Sequence, residues 1–372
     1  MGIERRLNQV IDRFLESGKI TGTVVLAYQH GKPLFRRAAG YADREVGKPV
    51  EFDTIFRMAS LTKPIVAATA LAMADRELLS LSDRTADYLP WFQPKAPDGK
   101  AAEMSIHHLL THTSGLVYDV ALEHLPEDQA ITCGLLNTDL DYEANFGRHN
   151  AVPLAFKPGT QWAYSFATDI LGAVIAKVHG RSLEDAVATY IAGPLGMADS
   201  RFHVTDIARL AAPYADSQPT AVRMTDPYFA PGDAGWTLGF SPSRILNPKA
   251  FQSGGAGMVG TANDFLVFLE TLRTGGGAVL KPETVQLGLS NRIGSLASDP
   301  GCGFGYFGAV VNNPAEALTP QPSGTVRWGG VYGHSWFIDQ ANGLTVFNMS
   351  NNALEGCMGE FPGKIVEAVY AQ

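Results

Sequence analysis

The sequence holds only three cysteines in 372 residues, at positions 133, 302 and 357. Their number is odd, their spacing is wide and no Cys-x-x-Cys pair occurs, which argues against a disulfide framework or a thiolate zinc site. Cys302 and Cys357 read as inert, buried thiols. Long apolar runs are missing as well. No stretch approaches 18 consecutive apolar residues, so no membrane span is expected. Positive charge is in the minority: 29 Lys and Arg stand against 37 Asp and Glu, giving a net charge of −8. Without a basic run, such a chain is a poor nucleic-acid binder. The first twenty residues carry charges throughout and lack the apolar core of a signal peptide. The expected compartment is the cytoplasm.

What is present is an ordinary globular balance, 45% hydrophobic and 18% charged. The length suits two or three structural units or one large composite domain. Ile3, Leu7, Val10, Ile11 and Leu15 follow helical spacing. Two β-rich runs, Thr23–Tyr28 and Pro33–Gly40, flank His30-Gly31-Lys32 and read as a hairpin. The pattern then turns helical over IFRMASLTKPIVAATALAMADREL. Pro64 is tolerated only in a first turn, so this helix begins near Ser60. YSFATDILGAVIAKVHG is an amphipathic helix stopped by Gly180. Another, SLEDAVATYIAGPLGM, opens with a capping pattern at Ser182 and Asp185. Residues 212–250 read as a long surface loop system, and SGGAGMVGTANDFLVFLETLRTGGG as a glycine turn followed by a helix. TVRWGG, GHSWFIDQ and GLTVFNMSN are strands, and a last helix spans Gly359–Ala371. Strands at both ends imply one antiparallel sheet built from both termini, with helices between.

Three short stretches carry chemistry. The first is Ser60-Leu61-Thr62-Lys63. A serine hydroxyl needs a base beside it to act as a nucleophile, and residues three apart on a helix share a face. Lys63 therefore reaches Ser60. Free N–H groups at the helix start suit a developing oxyanion. The spacing alone does not separate a catalytic pair from a chance one. The second stretch is Trp162-Ala163-Tyr164-Ser165-Phe166, where a tyrosine precedes a helix. A nearby cation would make its phenolate a usable base. A half-buried core tyrosine is the plain alternative. The third is Trp328-Gly329-Gly330-Val331. Paired glycines let a ligand approach the strand closely, and the Val331 N–H is a candidate second oxyanion donor. A bulge explains Gly-Gly equally well. His334, beyond this strand, is a candidate cleft residue or a structural one. His107, His108 and His112 include an i,i+4 pair, yet no Glu lies between them and no metal is expected. No Gly-x-Ser-x-Gly elbow occurs.

Together these stretches resemble the penicillin-recognising serine hydrolases: class C β-lactamases, D-alanyl-D-alanine carboxypeptidases and β-lactamase-like esterases. IFRMASLTKPIVA, MSIHHLLTHTSGL, FKPGTQWAYSFATDILGAVI, PLGMADSRF, SGGAGMVGTANDFLVF and GFGYFG occur in the family's order over about residues 20–352. The resemblance implies an α/β (α+β) fold: an antiparallel sheet flanked by helices, plus an inserted mainly helical lobe. The domains would be 1–75 with 231–372, and 76–230. By position, Ser60 resembles the nucleophile, Lys63 its activating partner and Tyr164 the general base and acid. Trp328-Gly329-Gly330 falls where the family has a Lys-Thr-Gly or His-Gly-Gly motif. Val331, Trp328, Gly329, Gly330, Ser165 and His334 then belong to the oxyanion and substrate-binding set. Two departures stand out. Phe166 replaces the asparagine of Tyr-x-Asn, and Trp328 replaces the lysine that helps hold a substrate carboxylate. Both point to the family VIII carboxylesterases and related acyltransferases, since a neutral ester does not need that cation.

The implied activity is ester hydrolysis through an acyl-enzyme, without metal or organic cofactor. The partner is a small-molecule ester, with neither nucleic acid nor membrane involved. The sequence leaves open a D-amino-acid amidase or peptidase, a weak β-lactamase, an acyltransferase and a non-catalytic binding protein. It also leaves open which of Lys63 and Tyr164 is the base, and the oligomeric state.

Overall fold

Helical spacing at the N-terminus becomes α1 (Ile3–Glu16), which buries Leu7, Ile11 and Phe14. The computed structural model describes residues 2–118, 136, 139–231 and 237–371; Cys133 lies outside them. The chain then enters β1 (Gly22–Gln29), turns at His30-Gly31 and returns as β2 (Lys32–Asp43). Both turn residues have positive φ, 49° and 78°, the geometry that matches the twist of a two-residue hairpin. β3 (Lys48–Pro49) follows. The remaining strands of the sheet come from the C-terminal part: β4 (Cys302–Phe304), β5 (Ala309–Val311), β6 (Val326–Gly330), β7 (His334–Asp339) and β8 (Leu344–Ser350). Their order is β4-β5-β6-β7-β8-β1-β2-β3, and the pairings are antiparallel. The two ends of the chain therefore meet in the middle of one sheet, where Val25 faces Asn348 across β1 and β8.

Both faces of the sheet are covered, which explains why β1 and β8 are buried along most of their length. On one face Val25, Ala27, Phe337 and Val346 pack against α1 and α5 (Glu360–Tyr370), whose Phe361 and Ile365 are buried there. On the other face Val24, Leu26 and Phe347 join Phe265 and Phe268 of α4 (Ala262–Arg273). That second core continues without a break into α2 (Thr62–Ala74) and α3 (Ala167–His179). On that face, sheet and helices share one apolar cluster.

The stretch at 212–250 differs from the loop system expected. Tyr214–Ala215 pairs in parallel with Asn352–Ala353, and Tyr228–Pro231 forms a hairpin with Thr237–Phe240. These strands are two to four residues long, too short for alternation to stand out among prolines and glycines. The capping box at Ser182 and Asp185 forms as expected, though its α-helix ends at Val187 and continues as a wider turn over Ala188–Ala192.

Phe347 is 1% exposed and stands edge-on to Phe265 at 5.7 Å between ring centroids. Truncating it leaves a cavity where sheet and α4 meet. Phe347→Ala is expected to cost about 3–5 kcal/mol, read as a lower unfolding midpoint in urea; an unchanged midpoint would contradict this packing.

Candidate active site

α2 begins two residues after Ser60, preceded by a 3-10 turn over Ala59–Leu61. Pro64 sits in the first turn, as its missing N–H requires. The Leu61 N–H donates to Met58 O at 3.1 Å, so the N–H of Ser60 precedes the first bond of the turn and has no intrahelical partner. Ala59 holds φ at +46°, an uncommon conformation for a residue with a Cβ. The turn is fixed from outside. Met58 N–H donates to Met258 O at 2.9 Å, and Thr62 Oγ1 accepts from Met258 N–H at 3.1 Å.

Ser60 Oγ accepts from two groups: Tyr164 Oη at 2.6 Å and Lys63 Nζ at 3.3 Å. Lys63 also donates to Gly255 O at 2.9 Å and Tyr118 Oη at 3.3 Å. An ammonium has three protons and no lone pair, and three acceptors surround this one. Lys63 is only 6% exposed, and its nitrogen lies 4.6 Å from the Tyr164 ring centroid. Tyr164 itself stands in an aromatic frame, with ring centroids of His112 at 5.0 Å, Trp328 at 5.1 Å and Tyr118 at 5.5 Å. Burial, and then the Lys63 charge, hold the His112 imidazole well below its usual pKa, so this ring adds no second cation near Tyr164 at neutral pH.

Beside Ser60 opens a groove of about 720 Å³, lined near the serine by Trp162, Tyr164, Trp328, Gly329 and Val331 and farther out by Leu318 and Met358. Its walls are mainly apolar side chains, which suits an uncharged organic ligand.

The structure brings Ser60, Lys63 and Tyr164 together, with Trp328, Gly329 and Val331 along the groove. It corrects three other sequence expectations. His334 is fully buried, its Nε2 2.7 Å from Arg57 O; burial lowers its pKa to about 4, and it does not face the groove. Ser165 is also fully buried, with Oγ 3.2 Å from His112 Nδ1. It supports the aromatic frame from beneath. At Gly330 the close neighbour is the protein itself, because a Cβ there would lie 2.5 Å from Met58 O. The glycine lets the end of β6 press against the turn that carries Ser60. Gly329 likewise makes room for Cys357 Sγ, 2.8 Å from its hypothetical Cβ. Cys357 is half-buried and lines the groove, although burial raises its thiol to about 12 and keeps it protonated. The three histidines separate: His107 Nδ1 is 3.0 Å from Tyr306 Oη, His108 Nδ1 accepts the Ser105 N–H, and His112 meets Ser165. Sequence reasoning missed Tyr118, Gly255, Ser253 and Asp169, which surround Lys63 from behind. Only the Ser-Gly-Gly run at 253–255 left a visible trace, as an expected glycine turn.

A family model described as Beta-lactamase matches residues 7–357. Esterase EstB of Burkholderia gladioli is 43% identical over 99% of this chain and 95% of its own. Among solved structures, EstCE1, described as a hydrolase with promiscuous acyltransferase activity, superposes with a TM-score of 0.93 at 38% identity, covering 99% of this chain and 98% of its own. A penicillin-binding protein homolog from Caulobacter crescentus has the same fold, with a TM-score of 0.73 at 20% identity over 99% of this chain and 96% of its own.

The seating of β6 on the serine turn makes a direct prediction. In Gly330→Ala the new methyl group forces Met58 and Ala59 to shift. Acylation of the protein by a fluorophosphonate is expected to slow about 100-fold, with a stability loss of about 1–3 kcal/mol. Labelling at the wild-type rate would show that this contact does not position Ser60.

Proposed function

The chain belongs to the beta-lactamase family, and from that premise we propose that it hydrolyses carboxylic esters through an acyl-enzyme on Ser60. The observation that carries this reading is the pair of contacts at one oxygen: Tyr164 Oη at 2.6 Å and Lys63 Nζ at 3.3 Å from Ser60 Oγ. The esterase relative at 43% identity over nearly the whole chain supports the choice of substrate class.

Tyr164 takes the Ser60 proton as the hydroxyl attacks the ester carbonyl. Lys63, with its three protons engaged, keeps its positive charge beside Ser60 and Tyr164 while the proton moves. The tetrahedral oxyanion is held by the N–H groups of Ser60 and Val331. Tyr164 then returns the proton to the leaving alkoxide, and the Ser60 ester forms. In the second half Tyr164 removes a proton from water, water attacks the acyl carbonyl, and the proton passes back to Ser60 Oγ. Each half closes its proton count on Tyr164.

Two side chains favour neutral esters over β-lactams and D-peptides. Phe166 is 1% exposed and stacks on Phe146 at 5.4 Å, so no amide is offered beside Tyr164 to a substrate side chain. Trp328 lies against Tyr164 and presents an apolar surface to the groove, where a lysine would meet a substrate carboxylate. Acyl transfer to an alcohol is the second reading. The same acyl-enzyme would serve it, and the apolar groove has room for an acceptor in place of water.

The test is p-nitrophenyl butyrate turnover by wild type, Ser60→Ala and Tyr164→Phe, with nitrocefin in parallel. Ester cleavage is expected to exceed nitrocefin cleavage. Tyr164→Phe should lose about 10²–10⁴-fold in kcat, and Ser60→Ala should fall to background. A Ser60→Ala enzyme with wild-type turnover would remove the nucleophile from this account. Nitrocefin turnover rivalling the ester would favour the β-lactamase reading. An added alcohol yielding a new ester instead of acid would favour acyl transfer.

A further inference from the structure

Asp169 is fully buried in the first turn of α3. It lies five residues beyond Tyr164 and directly behind Lys63. One of its oxygens, Oδ1, accepts from Ser253 Oγ at 2.5 Å and Gly255 N–H at 3.2 Å. Ser253 Oγ in turn accepts from Ala256 N–H at 3.0 Å. Its hydroxyl proton is therefore the one given to Asp169, and the carboxyl oxygen is the acceptor. The other oxygen, Oδ2, has no hydrogen-bond partner among the described residues. A Cβ built on Gly255 would lie 2.4 Å from Oδ2 and 3.3 Å from Lys63 Nζ. The carboxylate and the ammonium are therefore within about 6 Å of each other beside Gly255.

A carboxylate buried without a charge partner is costly, and so is a buried ammonium. Here the Lys63 ammonium is the strongest positive charge acting on the Asp169 carboxyl. The start of α3 adds the positive end of a helix dipole on the carboxylate side. Gly255 joins the two mechanically: its N–H is held by Asp169 and its carbonyl holds Lys63 Nζ at 2.9 Å. Any side chain at 255 would strike Oδ2.

We infer that Asp169 is a positioning residue for acyl transfer: through Gly255 it aims the Lys63 ammonium at Ser60 and Tyr164, and it supplies the counter-charge for that ammonium. The inference rests on the serine-hydrolase reading of the site. Among the described residues, the charged and titratable groups facing Lys63 are Tyr164, Tyr118, His112 and Asp169. Those facing Asp169 are Lys63, Arg244 and Tyr142. Burial pushes the Asp169 carboxyl above its usual range, and the Lys63 charge with the bonds from Ser253 and Gly255 counters that push. In its ionised form Asp169 is the anion of this set, and removing its charge makes every protonation in the site harder.

The experiment compares Asp169→Asn with wild type and with Ser253→Ala, which loses a hydrogen bond but keeps the carboxylate. In Asp169→Asn, kcat for p-nitrophenyl butyrate is expected to fall about 10–100-fold, with KM changed less than about threefold. The acidic limb of the kcat/KM profile should move to lower pH by roughly one unit. Ser253→Ala should keep the wild-type limb. A thermal measurement covers the case in which Asp169→Asn folds poorly. Lys63→Met removes the stronger of the two positive charges acting on buried Asp169, the other being Arg244, so adding Asp169→Asn to Lys63→Met should raise Tm, while Asp169→Asn alone should lower it. The inference is overturned by wild-type kcat and an unmoved limb in Asp169→Asn. It is overturned equally by the same limb shift in Ser253→Ala, or by a Tm that falls in both backgrounds. Failure of the underlying reading looks different: wild-type turnover would then survive Ser60→Ala.

Discussion

Lys63 keeps a charged nitrogen at a place where 6% of the residue meets water. Such a group persists only if acceptors and an opposite charge replace the lost hydration. The site is organised around that requirement. Gly255 O, Tyr118 Oη and Ser60 Oγ take the three protons, and the ring of Tyr164 lies below the nitrogen. The Tyr164 hydroxyl meets Ser60 from the other side. Two of the groups around the cation, Ser60 and Tyr164, are the ones proposed to react, so fixing the lysine also fixes the serine and the tyrosine.

Four separate parts of the chain converge to satisfy it. The helix that bears Lys63 is pinned at its start by Met258, and the end of β6 presses on the same turn at Gly330. The start of α3 brings Tyr164 forward and Asp169 behind. The 253–255 turn closes the back. Glycine is needed at 255 and 330 for one reason, the close approach of backbone or carboxylate to another segment. The large antiparallel sheet, buried on both faces, gives these loops a rigid base, and that arrangement suits a site whose working distances are near 3 Å.

Much of this was legible in the sequence. Helical spacing, the hairpin and Pro64 placed α1, β1, β2 and the start of α2, because each is a local preference with a local signal. The resemblance carried by Ser60, Lys63, Tyr164 and Trp328-Gly329-Gly330 pointed to the fold and to three side chains that the structure brings together, and the family match agrees with the fold. The errors came from contacts that no local pattern encodes. His334 follows the strand motif closely, yet its ring turns inward to Arg57 O, 277 positions away. Ser165 is next to Tyr164, but adjacent residues leave the chain in different directions, and its hydroxyl meets His112. Gly255 and Lys63 are 192 positions apart, so the acceptor of the key lysine had no signature beyond a pair of glycines. Asp169 stands in the first turn of a helix, where an acid is common, and only its burial singles it out.

The central claim is that Ser60 carries the acyl group, and it is tested most directly by catching that intermediate. Protein quenched in acid during turnover of p-nitrophenyl butyrate would be digested and its peptides weighed. The account predicts one butyryl group, on the peptide containing Ser60, and its disappearance once substrate is exhausted. A butyryl group on another residue, or none during steady turnover, would contradict it.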